Sequence, residues 1–297
     1  MEKLIAIMGT NASGKSALGL YLAPLFNGEI VSADSRQVYK GLDLGSGKVT
    51  KEEQEICKHH LLDVVEPNDP YSVFQFQQQA YEAIDDIISR HKTPFLVGGT
   101  GLYVRAVTDG YNFTQDKASE EMIAEIQAKS FEEIKNEILK LNPNIDFDFS
   151  NAPKRRIEKI LLKLLNNQPI KTENTPKYEV LKLGLSWDKE VLHDRIMKRL
   201  NMRETEGMIE EVKGLLENGA TPEFLIGLGL EYRHIYYYIS GKYKTYEEYR
   251  DNLYREICRF AKRQMTWFRK EKDIIWLNEK GDYKQQAKEL IEQFLNK

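Results

Sequence analysis

The strongest constraint on this chain is a glycine-framed turn set between a strand and a helix. Residues 4–8 (Leu-Ile-Ala-Ile-Met) form a short continuous apolar run. Gly9-Thr10-Asn11-Ala12-Ser13-Gly14-Lys15-Ser16 follows, and an apolar-periodic stretch then runs from Ala17 to Phe26. That order reads strand, loop, helix, and the loop matches the P-loop pattern G-x-x-x-x-G-K-[ST]. Successive backbone N–H groups of such a loop converge on an anion, and the helix starting near Gly14 adds its positive dipole end. Lys15 supplies a point charge, and the Ser16 hydroxyl is suited to holding Mg2+. The bland alternative is a glycine turn that binds nothing, which the strand-to-helix placement disfavours. The loop leaves open whether the ligand is a nucleotide or a diphosphate on another carbon skeleton.

Further short apolar segments recur along the chain. Residues 29–33 read as a second strand ending at Asp34, and Phe95-Leu96-Val97 as a third, cut off by Gly98-Gly99-Thr100-Gly101. Val180–Leu185 reads as a strand, Phe74–Arg90 has helical spacing, and Lys189–Arg269 is mostly helical. Strands separated by helices predict an α/β fold, a P-loop NTPase-like parallel sheet flanked by helices. From about Phe113 to Pro176 the texture changes to helical and acidic, with four Lys against nine Asp/Glu over residues 111–150. This predicts a helical insertion ending near the polar run Lys171–Pro176. The expected organisation is residues 1–112 as the first part of the core, 113–176 as the insertion, and 177–297 as the mostly helical second part.

Ligands in open α/β sheets sit beyond the carboxyl ends of the strands, so Asp34-Ser35 and Gly99-Thr100-Gly101 are expected beside the loop. Asp34 has three readings: a Mg2+ partner through water, a general base for a nucleophile attacking near the phosphates, or a cap for the next segment. Thr100 is either a turn residue or a hydroxyl exposed beside the ligand. His59-His60 carries no metal expectation, since adjacent side chains on a strand point to opposite faces. The net charge of −3 excludes a uniformly basic nucleic-acid binder but not a basic face. One is present: residues 251–272 hold seven Lys/Arg against three acids. At helical spacing Arg255, Arg259, Lys262 and Arg263 share one side, and Leu253, Ile257, Phe260 and Trp267 form much of another. A second basic patch is Lys154-Arg155-Arg156 with Lys159 and Lys163. Both patches read either as solvated faces or as contacts for a polyanion. Two distant cysteines, Cys57 and Cys258, speak against a disulfide framework. No apolar run approaches the ~18–20 residues of a membrane span. The expected setting is cytoplasmic, with no membrane contact.

These pieces together resemble the tRNA dimethylallyltransferases, also called tRNA isopentenyltransferases, of bacterial type. The likeness runs from Lys3 to about Arg269. It rests on Gly9–Ser16 and Val31-Ser32-Ala33-Asp34-Ser35-Arg36-Gln37-Val38-Tyr39, then on His59-His60-Leu61-Leu62-Asp63 and Tyr71-Ser72-Val73. It continues through Leu96–Tyr103 and closes with Arg259-Phe260-Ala261-Lys262-Arg263-Gln264-Met265-Thr266-Trp267-Phe268-Arg269. The resemblance implies that Gly9, Thr10, Asn11, Ala12, Ser13, Gly14, Lys15 and Ser16 bind the diphosphate of dimethylallyl diphosphate, with Arg199 as a further phosphate contact. It implies that Asp34 is the general base toward the exocyclic amine of the adenine 3′ of the anticodon, and that Thr100 lies beside the reacting centre. Lys15 would stabilise the leaving group, with Mg2+ at Ser16. Asp34, Ser35, Arg36, Gln37 and Thr100 match the segment contacting the target base, and Arg155, Arg156, Arg259, Lys262 and Arg263 are the implied tRNA contacts. The implied partners are tRNA and dimethylallyl diphosphate, and a monomer is expected. Against the family pattern, Thr10-Asn11 replaces Pro-Thr, Glu158 replaces a basic residue, and Gly229-Leu230-Glu231-Tyr232-Arg233 replaces Gly-Tyr-Lys-Glu.

Three other readings share parts of this pattern. An adenylate isopentenyltransferase acting on free AMP or ATP would have the same core but no need for the insertion. A P-loop small-molecule kinase would direct Asp34 at a substrate hydroxyl and consume ATP. A non-enzymatic RNA-binding protein would keep its function without Lys15.

Overall fold

The computed structural model of the chain describes residues 1–113, 119–170, 173–277 and 281–297. Lys171 and Thr172, which begin the polar run expected to close the insertion, lie outside the described residues. The chain divides into two compact units, Met1–Gly110 with Pro176–Lys297, and Tyr111–Thr175.

The larger unit is built on six parallel strands in the order β3-β2-β4-β1-β5-β6. In chain order its first half is β1 (Lys3–Gly9), α1 (Lys15–Leu25), β2 (Gly28–Ser32), α2 (Lys51–Ile56), β3 (His59–His60), α3 (Val73–Ser89), β4 (Thr93–Gly98) and α4 (Gly101–Thr108). The smaller unit contributes α5 (Glu120–Ala128), α6 (Phe131–Leu141) and α7 (Lys154–Leu165). The larger unit then resumes with β5 (Glu179–Leu185), α8 (Lys189–Thr205), α9 (Met208–Glu217), α10 (Pro222–Leu228), α11 (Leu230–Ile239), α12 (Tyr246–Phe268), β6 (Ile275–Trp276) and α13 (Tyr283–Leu295).

The central strands are apolar throughout because helices cover both faces of the sheet. Leu4, Ile5, Ala6 and Ile7 of β1 are all fully buried. On one face Ile5, Ile7, Phe95 and Leu183 pack with Leu18 and Leu22 of α1 and Ile291 of α13. On the other, Leu4, Ala6 and Leu96 pack with Phe76 and Ile84 of α3, Val104 of α4 and Phe268 of α12. Ser72 starts α3 by accepting from Gln75 N, while the Gln75 side chain accepts from Ser72 N, a reciprocal cap. Two strands were not legible as apolar runs. β3 and β6 are two-residue edges, paired only to Ile30 and Val31 and to Leu183 and Gly184.

Beyond β5 the helices form their own core, in which Tyr232 of α11 and Tyr249 of α12 are fully buried with Val38, Leu42, Leu200 and Val212. The buried stripe of α12 is Tyr249, Leu253, Ile257, Ala261 and Phe268. Phe260 and Trp267, expected on that stripe, stand beside it and are half-buried. The smaller unit has a separate core of Ile126, Ile134, Ile138, Ile157 and Leu161. On α7 this leaves Lys154, Arg155, Arg156 and Lys159 exposed, with the Arg156 guanidinium 5.1 Å from the Phe147 ring centre.

Candidate active site

The carboxyl ends of β1, β2 and β4 open into a cavity of about 1260 Å3, lined by Lys15, Asp34, Thr100, Arg199, Arg203 and Trp267 among others. Pockets for a single drug-sized ligand span roughly 300–1000 Å3, so this one has room for two substrates side by side.

The turn after β1 forms the cavity floor. Ala12 (φ 60°) and Gly14 (φ 94°) both adopt left-handed backbone, the alternation that points successive amides into one concavity. Three of its carbonyls are tied back: Thr10 O accepts from Lys15 Nζ (3.3 Å), Ala12 O from Arg195 Nε (2.8 Å) and Ser13 O from Trp187 Nε1 (2.7 Å). Arg199 Nη1 donates to Asn11 Oδ1 at 2.8 Å, so the residue that departs from the family pattern holds the arginine expected at the phosphates. Gly9, Thr10 and Ser13 form the buried back of the turn, while Asn11, Ala12, Gly14, Lys15 and Ser16 line the cavity. Burial holds the Lys15 ammonium below its ordinary pKa, the Asp34 charge opposes that, and Arg203 adds to it.

Asp34 follows β2. Its Oδ1 accepts from Arg36 N at 2.9 Å, an Asx turn that fixes the carboxylate. Asp34 is half-buried and lines the cavity. Thr100 caps α4, and its Oγ1 accepts from Ser35 N at 3.1 Å, joining the ends of β2 and β4. Thr100 is thus a turn residue that also lines the cavity. Gln37 is buried, accepting from Ser32 Oγ (2.9 Å) and donating to Gly47 O (3.1 Å). Arg36 donates to Leu228 O (3.1 Å) and pairs with Glu231 at 3.4 Å. Arg259 and Lys262 are exposed. Arg263 pairs with Glu256 at 2.9 Å and lines the cavity.

Gln264 carries no role of its own in the sequence pattern. From α12 its Oε1 accepts from Asn11 N (2.8 Å) and its Nε2 donates to Gly99 O (2.9 Å), bridging the turns after β1 and β4. It sits in the quoted Ala-Lys-Arg-Gln string, but only the folded chain shows both ends engaged. Arg203 was missed as well: on α8 it is 5 % exposed, 3.4 Å from Glu231, and lines the cavity.

Among the described residues no group of three or more His, Cys, Asp or Glu is placed to hold a metal ion. His59 Nδ1 donates to Cys57 O and His60 Nε2 to Glu29, each at 2.7 Å. Among the oxygen-bearing residues that line the cavity, Ser16 belongs to the turn and Asp34 follows β2. A hydroxyl, a carboxylate, water and ligand oxygens make the hard donor set that suits a divalent cation such as Mg2+, so the residues fit one. No helix among the described residues is long and apolar enough to cross a membrane.

The IPP transferase family model matches residues 37–271. A tRNA dimethylallyltransferase 2 of Shewanella sediminis is 47% identical over 296 residues, covering 97% of each chain. The crystal structure of the full-length tRNA isopentenylpyrophosphate transferase of Bacillus halodurans is 34% identical, with TM-score 0.76, covering 100% of this chain and 96% of that one. A eukaryotic dimethylallyltransferase acting on tRNA is 25% identical, with TM-score 0.83 over 100% of this chain and 80% of that chain.

Proposed function

The chain belongs to the IPP transferase family, and we propose that it transfers the dimethylallyl group of dimethylallyl diphosphate to the exocyclic N6 amine of adenosine 37, 3′ of the anticodon in tRNA. It is a tRNA-modifying prenyltransferase, and the kinase and free-adenylate readings are not favoured.

The carrying observation is that a carboxylate and an anion cradle share one cavity: Asp34 after β2 and the Gly9–Ser16 turn after β1, parallel strands that flank β4 in one sheet. In the proposed reaction the diphosphate lies on the amides of the turn beside Lys15 and Arg199. The N6 nitrogen forms a bond to the first carbon of the allyl group as the bond from that carbon to the diphosphate oxygen breaks. The diphosphate leaves with the electron pair, and Asp34 takes the amine proton. Amides and Lys15 are preset for the charge that grows on the leaving oxygen, an electrostatic contribution that needs no reorganisation. Thr100 holds the Asp34-Ser35 turn in place through its bond to Ser35 N. Ser16 would hold Mg2+ when present, and the ion would neutralise leaving-group charge. A stacked adenine cannot reach a buried electrophile, so the base is extruded into the cavity. Arg155, Arg156, Arg259, Lys262 and Arg263 hold the RNA backbone, and Ser35, Arg36 and Gln37 form the wall that receives the base.

Incubation with labelled dimethylallyl diphosphate and either tRNA or AMP, followed by mass spectrometry of nucleosides, tests this reading. Dimethylallyl-adenosine in tRNA is expected. Transfer to AMP alone, or consumption of ATP, would overturn it.

A further inference from the structure

One guanidinium in the cavity wall shares its carboxylate partner with a second arginine and is not fully hydrogen-bonded. Arg203 and Arg199 lie one turn apart on α8. Arg203 is only 5 % exposed, and its Nη2 has no hydrogen-bond partner. Its close carboxylate partner, at 3.4 Å, is Glu231, which Arg36 shares at the same distance. One carboxylate therefore serves two arginines. An unpaired buried donor of this kind is costly unless an acceptor arrives.

The segment opposite shows that both guanidinium groups face one place. A Cβ built on Gly47, whose φ is +65°, would overlap Nη2 of Arg203 and Nη2 of Arg199 alike. Two positive forks thus meet where the chain carries no side chain. Arg199 has its Nη1 bonded to Asn11 in the turn after β1, so this pair of forks adjoins the anion cradle. Arg203 is also near enough to Lys15 and Asp34 for its charge to act on Lys15 and for Asp34 to act on it.

We propose that Arg203, with Arg199, forms a second oxyanion seat beside the Gly9–Ser16 turn, so that the site takes a diphosphate in preference to a single phosphate. The turn and Lys15 hold one phosphoryl group, and the paired guanidinium groups hold the other, where the unsatisfied Nη2 donor of Arg203 finds its acceptor. A planar fork suits a phosphoryl oxygen better than a point charge does. The inference rests on the proposed reading of the turn as a diphosphate cradle, and it assigns a specificity-determining residue to it.

Calorimetry with inorganic diphosphate and inorganic phosphate tests the seat directly, using the intact protein, Arg203→Met, and the double variant Arg203→Met/Glu231→Gln. The double variant removes both members of the ion pair and leaves Arg36 held by its bond to Leu228 O, which keeps a folded protein in the comparison. Both variants are expected to bind diphosphate at least tenfold more weakly, with the affinity for phosphate changed much less. If Arg203 is only the counter-ion of Glu231, the double variant recovers wild-type diphosphate affinity, and that result overturns the proposal. An equal loss for phosphate and diphosphate overturns it too. Parallel tRNA prenylation by the wild-type protein separates the two claims: activity with unchanged diphosphate binding in the double variant removes only the seat, whereas selective loss of diphosphate binding without wild-type activity removes only the proposed reaction.

Discussion

Gln264→Leu isolates the contribution of the bridge between the two site turns. Leucine nearly preserves the volume but removes an acceptor 2.8 Å from Asn11 N and a donor 2.9 Å from Gly99 O. Two net hydrogen bonds at about 0.5–1.5 kcal/mol each set the scale. An amide and a carbonyl left open in a half-buried place push toward the upper half of that range, so the expected loss of stability is about 2 kcal/mol. If the same energy holds the turns in their reactive placement, kcat/KM falls about 10–30-fold, since a tenfold change in rate corresponds to about 1.4 kcal/mol. Gln264→Glu is the companion variant. It keeps the acceptor for Asn11 but places a carboxylate against the Gly99 carbonyl and beside the diphosphate, so KM for the donor rises more than kcat falls. Thermal unfolding and steady-state prenylation of tRNA measure both effects. A Gln264→Leu protein with unchanged melting temperature and kcat/KM within twofold of wild type would refute the bridge.

Lys15→Ala should lower kcat by about 10²-fold or more, measured as initial prenylation rate, because it removes charge stabilisation of the leaving group. Arg155→Ala/Arg156→Ala should weaken tRNA binding and flatten its salt dependence, by about 0.7 in log–log slope for each single-strand phosphate that the two arginines neutralise. Titration at several salt concentrations reads that slope. Glu29 should make the fold acid-sensitive. Hydrogen bonds from Arg90, then from Lys92 and His60, hold its carboxyl well below the usual range against the opposing effect of burial. The folded chain keeps Glu29 ionised where the unfolded chain protonates it. Its stabilisation is therefore complete above the ordinary carboxylate range near pH 4.5 and is lost as pH falls below it. Glu29→Gln should cost about 1–3 kcal/mol at pH 7, below the cost of breaking a fully buried pair because Arg90 and Lys92 stay about a third exposed. It should also flatten the acid limb in urea denaturation across pH 3–7.

What the sequence disclosed was local, and what it withheld depended on the fold. The turn at Gly9–Ser16 was readable because its chemistry lies in eight consecutive residues flanked by apolar runs. β1, β4 and β5 were readable because a sheet covered on both faces makes its strands mostly apolar, Lys182 of β5 being a buried charge paired with Asp109 and Asp273. β3 and β6 are two residues long and exist only through pairing with a neighbour, so no periodicity announces them. On α12 the buried stripe drifts, since 3.6 residues per turn does not repeat evenly over 23 residues. That drift puts Ala261 and Phe268 in the core and frees Phe260 and Trp267 to line the cavity. The adjacent histidines read as a pair in sequence, but their strand sends only His60 to Glu29. Gln264 and Arg203 were invisible for a different reason: a glutamine or arginine on a helix is ordinary until its partners, separated by 165 and 28 positions, are brought to it.

The central claim is that Asp34 removes the amine proton while the turn holds the diphosphate, and single-turnover prenylation of tRNA by Asp34→Asn tests it most directly. Donor affinity should stay close to wild type while transfer slows by about 10²–10⁴-fold. Transfer by Asp34→Asn at the wild-type rate would contradict it.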